Sequence, residues 1–80
     1  MTEVTYFMVV PFDYAGDGVV AGEPIACPSP ASAINHAQGL WKALGHAGSV
    51  AISRTSDFEA GKFGTEHVLR QFGQVPAEYR

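Results

Sequence analysis

One cysteine and three histidines, Cys27, His36, His46 and His67, are the side chains of this sequence with the widest chemical reach. A thiolate nucleophile needs a base within hydrogen-bond distance. Cys27 lies two residues before Ser29, which reads as the N-cap of a helix, and the positive end of a helix favours a thiolate. A helix of about fifteen residues is roughly 22 Å long, so His46, just beyond it, falls at the far end from Cys27. His67 belongs to an edge strand three spacings of about 4.8 Å away, or roughly 14 Å. Only His36 stays near, and it falls on the polar side of the helix. Cys27 is therefore expected to behave as a small, partly buried apolar residue, with a reactive thiol as the alternative. The spacing of His36 and His46 lacks an i, i+4 relation and neither has a cysteine pair beside it, so no metal site and no cofactor are expected.

Two other segments have the composition of ligand loops. Asp57-Phe58-Glu59-Ala60-Gly61-Lys62 is acidic like a calcium loop, but Gly61 comes one position early and Val68 stands where the bidentate glutamate belongs. Gly61-Lys62 lacks both the following Ser or Thr and the upstream glycine of a phosphate-binding loop. Asp13, Asp17, Glu23 and Glu66 fall at turns and strand ends and are assigned to solvent rather than to acid–base work. Because no nucleophile–base or metal constellation survives, the chain is not expected to be an enzyme.

The elements that carry these residues follow from pattern. Thr5 to Phe12 is β-branched and aromatic with apolar side chains in both alternating sets, which predicts a central strand. Pro11 marks its end or a bulge. Ala15-Gly16-Asp17-Gly18 supplies a tight turn, Val19 to Ala26 returns, and Pro24 places that strand at an edge. Ser29 and Pro30 start a helix running to Leu44, whose stripe of Ala33, Ile34, Ala37, Leu40, Trp41 and Leu44 faces the sheet. Gly39 inside the helix suggests close approach to the sheet, and Gly45 and Gly48 are read as its closure. Ser49 to Ser53 is a third strand, Arg54 to Gly64 a loop, and Thr65 to Phe72 a polar edge strand.

The expected fold is α+β: ββαββ, a four-stranded antiparallel sheet of order 2-1-3-4 with one helix packed on one face, forming a single domain over residues 1–80. One helix covers one face only, whereas the first strand is apolar on both. The second face needs a cover. The candidates are the 54–64 loop with Phe58 and Phe63, the C-terminal segment with Val75 and Tyr79, or a second protomer, and a homodimer is favoured because small domains are marginal and two-fold dimers common.

Composition narrows the partners. The net charge of −3 comes with basic residues scattered at Lys42, Arg54, Lys62, Arg70 and Arg80, so a nucleic-acid interface is not expected. Aromatics such as Tyr6, Phe7, Phe12, Tyr14, Trp41 and Phe72 lack interleaved cations and are assigned to core or interface. No signal-peptide pattern or membrane-length apolar run is present and the cysteine is single, which makes the cytoplasm the expected compartment and no membrane the expected setting.

Tyr6-Phe7 with Val9 and Phe12, Ala21-Gly22-Glu23-Pro24, Gly48 to Arg54 with Asp57 and Gly61, and Val68-Leu69 with Phe72-Gly73 and Val75-Pro76 together resemble a group of short, uncharacterised bacterial proteins. The resemblance covers nearly the full chain and implies a free-standing small protein, but no activity or site residue. Two functions are carried forward. The first is a small protein-protein interaction module, self-associating through a sheet face or edge or binding another protein, with Arg54, Phe58, Phe63 and Tyr79 as contact residues. The second is a small-ligand binder or enzyme with a pocket near Cys27 and His36.

Overall fold

The computed structural model describes residues 3–57 and 66–79. Its elements are β1 (Glu3–Ala15), β2 (Gly18–Ala21), β3 (Ile25–Cys27), α1 (Pro30–Lys42), β4 (Gly48–Asp57), β5 (Glu66–Gly73) and a short 3-10 turn (Ala77–Tyr79). The fold is α+β, with one helix against an antiparallel sheet ordered β2-β1-β4-β5 and β3 also paired to β1. The expected central pair, β1 and β4, is in place, and β4 continues through Arg54 to Asp57, where a loop was expected.

The sheet has five strands rather than four, because the returning edge strand is broken at its glycine and proline. Phe12 pairs with Ala21 and Val9 with Ile25, so Gly22, Glu23 and Pro24 span a stretch in which β1 has only Val10 and Pro11. Pro11 is not the end of β1. It is buried inside the strand and has no amide to offer the edge, while its carbonyl accepts from the Gly22 amide at 2.8 Å. The extra residue acts as a bulge and inverts the side-chain alternation. As a result Val19 packs on the face away from the helix, while Ile25 and Cys27 pack beneath it.

The helix starts as its sequence predicts: Ser29 is extended, its hydroxyl accepts from the Ser32 amide at 3.1 Å, and Pro30 occupies the first turn. It ends at Lys42, two residues short of Leu44, where the Ala43 and Leu44 amides bond the Gly39 carbonyl around Gly45 at φ 78°. Of the expected stripe only Ala33, Ala37 and Leu40 are buried; Trp41 is 39% and Leu44 70% exposed. The contact with the sheet is made of small residues, Ala33 and Ala37 against Val9 and Ala51, and the buried Ser49 hydroxyl donates to the Ala37 carbonyl at 2.5 Å. Gly39 takes no part in this approach, since a Cβ there would meet nothing within 4 Å.

Gly48 does not close the helix either. It stands in β4 between Phe12 of β1 and Gly73 of β5, and a Cβ on it would overlap the Gln74 backbone. Gly73 has φ 67°, a left-handed conformation that side chains oppose, and turns the chain across this end of the sheet. The Gln74 amide bonds the Ala47 carbonyl at 3.0 Å, and residues 74–79 continue onto the second face.

These positions separate by substitution. Gly39→Ala is expected to raise the unfolding free energy by up to about 1 kcal/mol, because it improves helix propensity in open space. Gly48→Ala is expected to lower it by more than about 2 kcal/mol, because backbone must move. Urea unfolding followed by circular dichroism measures both, and a stabilised Gly48→Ala would contradict the crossing.

Candidate interaction surface

The face of the sheet away from the helix is built from rows of side chains that cross β1, β4 and β5. Directly paired residues share a face, and alternate residues along each strand return to it. The registers give the rows Phe12–Gly48–Gly73, Val10–Val50–Gln71, Met8–Ile52–Val68 and Tyr6–Arg54–Glu66. A second irregularity, between Ala51 and Ile52, leaves Leu69 as an extra residue on β5, where it packs toward the helix.

The segment after β5 covers the first two rows. Val75 is buried among Val10, Phe12, Val50 and Ile52, and Tyr79 meets Phe12 edge-on with ring centroids 5.4 Å apart at 61°. Of the three expected covers, the C-terminal one is therefore present, and Tyr79 is a contact within the chain. Phe58 and Phe63 lie outside the described residues. On the other two rows Tyr6 is 43% and Val68 42% exposed, with half-buried Met8 between them and the covered rows. Arg54, the charged candidate of the sequence, pairs with Glu66 in the last row at the margin of this apolar patch. Glu66 is thus not simply solvated. Neither is Asp13, whose carboxylate lies 2.5 Å from His46 Nδ1.

The patch was only partly visible in the sequence. Tyr6 stood out as an aromatic on a central strand, but Val68 was placed on a polar edge strand with nothing to single it out. Its signal is register: it becomes a surface residue of consequence only once it is paired with Ile52 beside Met8.

The residues expected to form a ligand pocket are separated. His36 lines a shallow depression of about 220 Å³ with Gly39, Leu40, Ala43 and Leu44 on the side of the helix, and Cys27 is not part of that lining. Cys27 is half-buried at the start of the helix, pairs with Phe7, and its thiol lies 3.8 Å from the Ile25 carbonyl. His67 is exposed on β5. Among the described residues no three His, Cys, Asp or Glu side chains gather to hold a metal ion, and no helix is long and apolar enough to cross a membrane. No protein-family model, curated protein or solved structure matches the chain.

The ion pair is open to water on both sides, with Arg54 44% and Glu66 37% exposed, which limits its contribution to stability. A double-mutant cycle on Arg54→Ala and Glu66→Ala is expected to give a coupling energy of about 0.2–1 kcal/mol that shrinks as salt is added. A larger, salt-insensitive coupling would mean that the pair is shielded from solvent.

Proposed function

We propose that this chain is a small protein-protein interaction module that self-associates through the half of its second sheet face left bare by the C-terminal segment. The observation that carries the reading is the pair of rows Met8–Ile52–Val68 and Tyr6–Arg54–Glu66, in which two exposed apolar side chains flank a half-buried one. A contiguous apolar patch rimmed by polar groups is the usual anatomy of a contact surface. The adjoining ion pair is self-complementary. Under a two-fold axis Arg54 of one copy approaches Glu66 of the other and the converse, so the same row serves both sides of an isologous interface.

Sedimentation velocity at high micromolar concentration tests the reading. The unaltered chain is expected to sediment as a dimer, and Val68→Glu or Tyr6→Ser as monomers, while the exposed helix change Gln38→Ala leaves association unchanged. A monomeric unaltered chain would overturn the proposal.

A further inference from the structure

We infer that the trough formed by Val10, Phe12, Val50 and Ile52 is a peptide-binding groove, filled in one copy by its own residues 73–79 and taking the same segment from a second copy. The inference rests on the proposed self-association and adds the element that the two copies exchange.

The chemistry of the occupant is visible because the groove is occupied. Val75 is 4% exposed within the cluster, Tyr79 packs edge-on against Phe12, and Pro76 stands between them at the start of the 3-10 turn. The segment is prearranged for this fit by Pro76 and by its own Tyr79 amide to Pro76 carbonyl bond of 3.0 Å, which lowers the ordering cost of docking. Its printed backbone anchor to the sheet is the bond from the Gln74 amide to the Ala47 carbonyl, a contact between main-chain groups that any copy reproduces. It leaves the sheet at Gly73, a single left-handed hinge. A second copy carries the identical segment, so the fit seen within one chain is also the fit between two, which is the condition for exchange of an element between protomers.

Position supplies the opportunity. Met8 packs against the groove cluster and also belongs to the row of the bare patch, so the patch and the groove are continuous on one face. A copy docked on the patch brings its own segment beside its partner's groove. In a lone chain the short tether keeps the resident segment at an effective concentration of millimolar order, which favours the closed form. Face-to-face docking raises the competing segment to a comparable local concentration and removes that advantage.

The test uses a fluorescently labelled synthetic peptide with the sequence Gly73–Tyr79, titrated into the full chain and followed by anisotropy. Full-length Val75→Ala/Tyr79→Ala, whose own segment has lost its anchors, is expected to bind the peptide about tenfold more tightly than the unaltered chain, because internal competition is weakened. A peptide with both anchors changed to Ala is expected to bind neither. Circular dichroism checks that the double variant is folded, and Tyr79→Ala alone, a milder change, is expected to shift binding in the same direction. Equal binding to unaltered and variant chains, or to neither, overturns the groove. If the chain dimerises and Val68→Glu abolishes the dimer while the peptide binds nothing, the exchange fails and self-association stands. If the peptide binds as expected to a chain that is monomeric, self-association falls, and with it the second copy as the occupant.

Discussion

Everything on the second face depends on one crossing, where the chain leaves β5 and passes over the end of the sheet. A sheet row normally presents a side chain on each strand, and a backbone cannot lie against such a row at contact distance. Here two of the three positions in the row, Gly48 and Gly73, have no side chain. A Cβ on Gly73 would stand 2.5 Å from both the Ala47 carbonyl oxygen and Trp41 Nε1, and one on Gly48 would collide with Gln74. The gap admits the backbone, and Val75 then reaches a cluster that one helix could never cover. Burying a Val or Phe side chain contributes about 1.5–3 kcal/mol, so the order of several kcal/mol rests on a path that only paired glycines leave open. The Trp41–Phe72 stack, with centroids 5.9 Å apart, fixes the same end of β5 from the helix side. The end of the helix, the end of β5 and the crossing are therefore one packing unit.

The helix side follows the opposite rule, in which closeness is achieved with small side chains rather than with none. Ala33 and Ala37 lie on Val9 and Ala51, and Ser49 spends its hydroxyl on the Ala37 carbonyl, so a buried polar atom is satisfied at the point of nearest approach. A helix held that close leaves no room beneath it for large groups. Trp41 is displaced to the margin, where it stacks on Phe72, and Leu44 is left in the open.

This explains which parts of the architecture could be read from the residues. The two-faced β1, the Ser29-Pro30 helix start and the antiparallel β1–β4 centre are written in short stretches of sequence, because each depends on neighbours along the chain. The apolar stripe of the helix was also legible, but not the fact that its small members alone would be covered, since that depends on the helix-to-sheet distance. Pro11 and Pro24 were each recognisable, one as an interruption and one as an edge mark. Their joint effect, a bulge that splits one strand into β2 and β3, needs the two to be seen opposite each other. Gly48 looked like a helix terminator because it follows a helix, whereas its partner Gln74 lies far along the chain. The pairs His46–Asp13 and Arg54–Glu66 escaped for the same reason.

The reach of the C-terminal segment decides how much of the second face stays bare. Successive rows on one face are separated by two strand residues, about 6.8 Å, so the Tyr6 row lies roughly 20 Å from the Phe12 row. An extended segment of residues 74–79 would approach that distance, but Pro76 and the 3-10 turn that follows shorten the rise to about 2 Å per residue and hold Tyr79 against Phe12. The turn therefore exchanges coverage for a firm local fit. What remains uncovered is not a polar surface of the kind that discourages contact, since it keeps Tyr6 and Val68 on either side of Met8 and neutralises its only charges within one row. On the proposed reading, that combination suits a reversible contact. The apolar area is small enough for each copy to persist alone, and the charge pair orients the encounter more than it strengthens it.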